Sequence, residues 1–313
     1  MRTEKREREK MNLNLHENDN RLSKGIRGEP FETFLKTLLI KASIPKQVIE
    51  HQILNDEDVL QIYDQVFTHR SFNDQYNYEI FELYGDVTCN KIVVWWLREK
   101  FPFLNCTKGV KVLARLRINL ISRDSFSGFA KGLEFSKYIS ADVETKSKQE
   151  SNGLLEDIFE AFIGATEWIL DDKIRGFSGY YFCYRFLEQI LQKEDIQLTY
   201  KSLFDPITRL KESFDYFNSS TMKGTCPYIW GNISFAHEKL ELGSYCVKLI
   251  QQNGGKKEIL MQMTGNSIST LKNELSEAYI IFLHENGFKK SELKYYEEIE
   301  EMRKKKNECL PRK

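Results

Sequence analysis

Apolar positions recur along the chain at two different spacings, and the change from one to the other divides it. From Pro30 onward "PFETFLKTLLIKA" places its apolar residues three and four apart, with a proline where the first turn of a helix tolerates one. Helical spacing continues through "SIPKQVIEHQIL", "DEDVLQIYDQVFTHRSF" and the long "YEIFELYGDVTCNKIVVWWLREKF", which Pro102 ends. "KGVKVLARLRINLISRDSFSGFAKGL" predicts one or two more helices with a stop at Gly132. "NGLLEDIFEAFIGATEWILDD" predicts another, after a polar loop from Glu144 to Asn152. Up to about Leu191 every strong signal is helical. After Lys193 the character changes. "DPITRLKESFDYF" is a helix opened by Asp205 and Pro206. In "GSYCVKLIQQNGGKKEILMQMTG", Tyr245, Val247 and Leu249 alternate with their neighbours, the turn "QNGGKK" follows, and Glu258 to Met263 forms a second β-like run, which together signal a hairpin. "SISTLKNELSEAYIIFLHENG" returns to a helix ending at Gly287. The expectation is a mainly α chain: an all-helical part, then a small α+β part of order α-β-β-α, with room for a further strand in "CPYIWGNISFAH". Residues 1–25 are polar and without periodicity, which predicts a disordered segment. Residues 291–313 read as a charged tail, helical or disordered.

Composition narrows the partners only a little. The 313 residues are 41% apolar and 29% charged, with 46 Lys and Arg against 46 Asp and Glu, so any attraction to a polyanion must come from local patches. The densest apolar run, "IVVWWL" from Ile92 to Leu97, suits a buried helix and is too short to span a membrane. The charged start lacks an apolar signal core, which argues against secretion. Six scattered cysteines without C-x-x-C predict core thiols in a reducing intracellular compartment, cytoplasmic or nuclear, and argue against zinc.

Candidate chemistry lies in the carboxylates. In "YEIFELYGDV", Glu79, Glu82 and Asp86 stand at i, i+3 and i+7, which at about 100° per residue falls within a stripe of roughly 60°. In "EDIFEAFIGA", Asp157 and Glu160 are again i and i+3, flanked by Leu154, Leu155, Ile158, Phe159, Phe162 and Ile163. No Lys or Arg stands at i±3 or i±4 to either of them. If the two acidic lines face each other in a poorly solvated groove, their repulsion needs a cationic guest, and the hard divalent ions Mg²⁺ and Mn²⁺ suit oxygen donors. Metal held by carboxylates can activate water and stabilise charge at a phosphodiester.

At this point the chain resembles a known family. "YEIFELYGDV" is similar to the ribonuclease III signature N-E-R-L-E-F-L-G-D-A, and "FTHRSF" to its T-H-R-S motif. "LARLRINLISRD" is similar to its L-T-x-L-R-x-x-L-V-S segment, and "LLEDIFEAFIGA" to its D-x-x-E-A-L-I-G-A motif. All four come in family order between about Gln65 and Leu170. The resemblance implies a helical catalytic domain over residues 26–192, including an N-terminal helical extension. It implies a metal quartet of Glu82, Asp86, Asp157 and Glu160, with Asp86 and Glu160 catalytic. It also implies Mg²⁺-dependent cleavage of double-stranded RNA by a metal-activated water, leaving a 5′-phosphate and a 3′-hydroxyl. Glu79 and Phe81 match signature positions at the dimer interface, and the implied assembly is a homodimer that needs neither a membrane nor a small-molecule cofactor. Tyr78, Phe81, Leu83, Tyr84, Val87 and Ala114 depart from the pattern and read as packing positions bearing on the dimer contact. His69 reads as a hydrogen-bonded structural histidine, one of Arg115 and Arg117 as the partner of a carboxylate, and Gly85 and Gly164 as sites of close helix packing.

Residues 200–290 resemble a double-stranded-RNA-binding domain, whose opening helix reads D-P-K-T-x-L-Q-E. The family's phosphate-gripping Lys pair is replaced by about Ile268 and Ser269, leaving Lys256, Lys257 and Lys272 as candidate RNA contacts. Residues 201–290 hold eleven Lys or Arg and nine Asp or Glu, a weak electrostatic footprint for RNA, and a module used for protein contact is the competing reading. Two other functions stay open: a catalytically silent RNA-binding or scaffold protein on the same fold, and an all-α nucleotide pyrophosphohydrolase. Source, a viral one included, natural substrate, and processing versus degradation are not legible in the chain.

Overall fold

The computed structural model describes residues 21–148, 153–173, 178–240 and 243–309. The chain divides into two compact units, the first running to Asn105 and again over Leu116–Asp195, the second taking Cys106–Arg115 and the chain from Ile196. Its helices are α1 (Glu29–Lys41), α2 (Glu57–Val66), α3 (Glu79–Lys100), α4 (Val110–Leu120), α5 (Arg123–Gly132), α6 (Leu154–Lys173), α7 (Gly179–Leu191), α8 (Pro206–Asn218), α9 (Ile268–Glu285) and α10 (Leu293–Cys309). A helical turn at Lys46–Val48 runs into a π-helical one at Ile49–Ile53.

In the first unit a chain of buried rings ties the helices and loops together. Phe31, Phe67, Phe135, Phe162 and Phe186 follow one another with centroids 5.2 to 5.7 Å apart. Against this core α3 and α6 pack along much of their length. The buried face of α3 carries Phe81, Gly85, Cys89, Ile92, Val93 and Trp96, the three-and-four spacing of its sequence. Where the helices cross they touch backbone to backbone. A Cβ on Gly85 would overlap the Glu160 carbonyl, and one on Gly164 would overlap the Phe81 carbonyl and approach the Gly85 nitrogen to 2.6 Å. Two glycines that weaken their own helices are thus the condition for the crossing.

The expected disorder over residues 1–25 does not hold for its last part, and residues 1–20 lie outside those described. Leu22 and Ser23 form strand β1, antiparallel to β2 (Ala141–Asp142), and the Gly25 amide donates to Ser140 Oγ at 3.0 Å. Arg27 follows, paired with Asp64 and donating to Ser140 Oγ. Backbone pairing and one arginine hold this segment, so the apolar pattern carried no trace of it. Cys89, Cys183, Cys226 and Cys246 are buried thiols, and no helix among the described residues is long and apolar enough to cross a membrane.

The second unit pairs α8 and α9 with an antiparallel sheet of order β3 (Asn232–Lys239), β4 (Tyr245–Asn253) and β5 (Lys256–Gly265). The third strand arises in "CPYIWGNISFAH". A bulge between Leu249 and Ile250 shifts the β4–β5 register. Its core gathers Leu210, Phe214, Val247, Leu249, Leu275 and Tyr279. Asp205 caps α8, accepting from the Thr208 amide at 2.9 Å and its hydroxyl at 2.6 Å. The charged tail is helical as α10, which buries Ile299 and Met302.

Two stability outcomes follow from these contacts. Gly164→Ala gains about 1 kcal/mol of intrinsic helix propensity. It nevertheless drives a methyl into backbone, where overpacking costs about 1–3 kcal/mol or more. Urea unfolding is expected to show a net loss, and an alanine variant as stable as the parent would refute the close crossing. Asp205→Ala is expected to cost about 1 kcal/mol through loss of the cap, against no change if Thr208 were held otherwise.

Candidate active site

The crossing of α3 and α6 sets the geometry of the acids. Gly85 lies between Glu82 and Asp86 in sequence and rests on the backbone of Glu160. The acidic lines of the two helices are therefore brought together where the backbones meet. Glu160 is buried at 7% exposure, Glu82 and Asp157 are half-buried, and Asp86 is exposed, so the groove is less uniformly dry than expected.

Electrostatics shows that these groups act on one another. Burial first, then the charge of Asp86, pushes the Glu160 carboxyl up to about 8, with Glu156, Glu82 and Asp157 adding to the effect. Burial and then Asp157 push Glu82 up to about 7. Asp157 is raised by burial too, but the Tyr78 hydroxyl, the Arg123 guanidinium and His69 work in the opposite direction. Among the described residues no hydrogen bond or ion pair reaches the carboxylates of Glu82 or Glu160. An unpaired, half-dry set of carboxylates is a donor set suited to a hard dication. The side chains are spread apart: among the described residues no three His, Cys, Asp or Glu already stand in a metal-holding group.

The surroundings hold residues whose contacts with the acids the sequence did not assign. Tyr78 Oη donates to Asp157 Oδ2 at 2.9 Å. This corrects its reading as a packing position bearing only on the dimer contact, because an aromatic long enough to cross to α6 carries its hydroxyl to the acids. Asn90 Nδ2 donates to Asp86 Oδ1 at 2.8 Å, and Arg117 Nη1 donates to Asn90 Oδ1 at 2.8 Å. Arg117 thus reaches a carboxylate only through an amide, while Arg115 lies over the Phe204 ring. Arg123, at the start of α5, pairs with Glu156 at 3.2 Å, with its guanidinium over Gly153, whose φ of 86° suits glycine. No spacing along one helix could reveal Arg123, since it arrives from another.

The remaining candidates fall elsewhere. Glu79 is exposed and pairs loosely with Arg70 at 3.5 Å. Phe81 is buried within its own chain against Trp168, at 6.2 Å between centroids. On α3 the exposed large apolar residues are Ile80, Leu83, Tyr84 and Val87 near its start and Val94 and Trp95 further along. His69 Nδ1 bonds Ser71 Oγ at 2.8 Å and accepts from the Ser71 amide at 3.0 Å, closing the "THRS" turn. Lys256 lies over the Trp230 ring at 4.6 Å and Lys272 over Phe235 at 5.8 Å, while Lys257 is exposed at the start of β5.

Residues 79–167, which contain all four acids, match the family model described as the Ribonuclease III domain. A protein of Invertebrate iridescent virus 6 named "Putative ribonuclease 3" is 29% identical over 267 residues, spanning 81% of this chain and 85% of that protein. One of Frog virus 3 (isolate Goorha) with the same name is 40% identical over 156 residues, 49% of this chain, and the match spans only 42% of that relative's length. The solved nuclease domain of Ribonuclase III from Campylobacter jejuni aligns with 24% identity and a TM-score of 0.40, over 53% of this chain and 98% of that one. With its acids inside a matched Ribonuclease III domain and similarity along most of its length to a viral protein named for ribonuclease 3, the chain is a ribonuclease built around a Ribonuclease III domain.

Proposed function

We propose that this chain is a divalent-metal-dependent endonuclease of double-stranded RNA, with Glu82, Asp86, Asp157 and Glu160 holding Mg²⁺ or Mn²⁺. The observation that supports the reading is the glycine crossing of α3 and α6, beside which the four carboxylates influence one another's charge and Glu82 and Glu160 have no cationic partner among the described residues. A dication held there would supply Lewis acidity and make a water acidic enough to attack phosphorus. The chain's own residues bind and orient: Tyr78 and Arg123 favour the anionic form of Asp157 against the burial that raises it, and Asn90 donates to Asp86 Oδ1. Family resemblance supports a 5′-phosphate and a 3′-hydroxyl as the ends left. It also supports pairing of two copies, for which the exposed stripe Ile80, Leu83, Tyr84 and Val87 on α3 offers a face. The α8–sheet–α9 unit is the proposed duplex-binding module. Lys257 is its best-presented phosphate contact, since Lys256 and Lys272 lie over rings. Both relatives named above are viral, which supports a viral source.

The test is cleavage of a long RNA duplex by Glu160→Gln. The substitution removes a ligand charge and little volume, so activity at saturating Mg²⁺ should fall at least about 100-fold. Its metal-free melting temperature should stay level or rise, because a neutral amide replaces a buried carboxyl whose charged form is disfavoured there. A variant that cleaves like the parent would defeat the assignment. Stripping divalent ions from the parent protein with EDTA should likewise abolish cleavage of duplex RNA, and returning Mg²⁺ should restore it. Metal-independent cleavage would leave the carboxylates without their proposed role.

A further inference from the structure

We propose that Tyr78 is a positioning residue that fixes the orientation of the Asp157 carboxylate for cation binding, through the hydroxyl that it donates to Oδ2 at 2.9 Å. The inference rests on the metal reading above and adds to it a part that this chain builds for itself, since Tyr78 departs from the Asn of the signature it resembles.

Tyr78 is held from several sides. It is buried at 6% exposure, immediately before α3, and its amide donates to the Thr68 carbonyl at 3.1 Å. Its ring lies against His69 at 5.8 Å between centroids, and His69 is in turn fixed by Ser71. The preceding residue, Asn77, accepts from the Glu79 amide at 3.1 Å, closing the turn into α3. The "THRS" turn thus acts through Tyr78 on an acid that stands 79 residues further along the chain.

The consequence is an asymmetry within the quartet. Among the described residues no donor reaches the carboxylates of Glu82 or Glu160, so no hydrogen bond orients their oxygens. Asp157 has one oxygen, Oδ2, occupied by the Tyr78 phenol. Arg123 is engaged with Glu156 and adds attraction without displacing the phenol. A carboxylate with Oδ2 tied presents Oδ1 in a defined direction. Hydrogen bonds of this kind to ligating groups are worth about 10–100-fold in metal affinity. A wholly structural tyrosine would bury its hydroxyl on backbone or in solvent; this one spends it on the acid.

The experiment is Mn²⁺ binding by titration calorimetry to the full chain, the parent against Tyr78→Phe, with metal-free melting curves for both and duplex-RNA cleavage across Mn²⁺ concentrations. Phenylalanine keeps the ring on His69 and removes only the donor. The expected result is about 10–100-fold weaker Mn²⁺ binding. The metal midpoint for cleavage should shift by the same factor, while the melting temperature falls by less than about 5 °C. Equal binding by parent and variant overturns the proposal and leaves the metal reading standing. Weaker binding together with a fall in melting temperature of more than about 5 °C makes Tyr78 structural and also overturns it. A parent that binds no Mn²⁺ overturns the metal reading, and the proposal falls with it.

Discussion

Backbone contact between two helices is the constraint on which the site depends. Glycine at 85 and 164 lets α3 and α6 approach until carbonyl and amide groups replace side chains at the contact. The approach brings acids from opposite helices into one electrostatic neighbourhood, so that Glu160 feels Asp86 and Glu82 feels Asp157. Helices separated by ordinary side chains stand about 8–10 Å apart between axes. Tighter contact is what turns two amphipathic helices with acidic edges into a single acidic site.

The acids are not equivalent, and the differences come from what each helix neighbour supplies. Asp157 has a phenol and a nearby guanidinium; Asp86 has an amide backed by an arginine; Glu160, which is buried, faces chiefly the charge of Asp86, and Glu82, which is half-buried, chiefly that of Asp157. A site neutralised throughout by arginine would be stable and inert, because salt bridges would satisfy the carboxylates. Here the positive side chains stand one step back, acting through Asn90 and Glu156, and the central charge stays uncompensated.

Much of this was legible in the chain. The three-and-four spacing in "YEIFELYGDV" and "EDIFEAFIGA" gave helices with acids on narrow lines, and Asp205 and Pro206 announced the helix start that the structure contains. Gly85 and Gly164 inside helical patterns marked close packing. What stayed hidden has a common physical origin in contacts between distant segments. Tyr78 read as another aromatic at a packing position; its role needs α6 across from it. Arg123 comes from α5, outside either acidic motif. Strand β1 is two residues held by backbone, with no alternating side chains to betray it. The aromatic seats of Lys256 and Lys272 depend on Trp230 and Phe235, which the sheet and α9 bring to them.

The central claim is that the space beside the α3–α6 crossing is a dication site. Anomalous scattering from crystals grown with Mn²⁺ tests it most directly. The account predicts a manganese peak ligated by oxygens of Asp86 and Glu160, with Glu82 and Asp157 drawn in around it. Manganese bound only elsewhere on the chain, with these four carboxylates left in contact with solvent or one another, would contradict it.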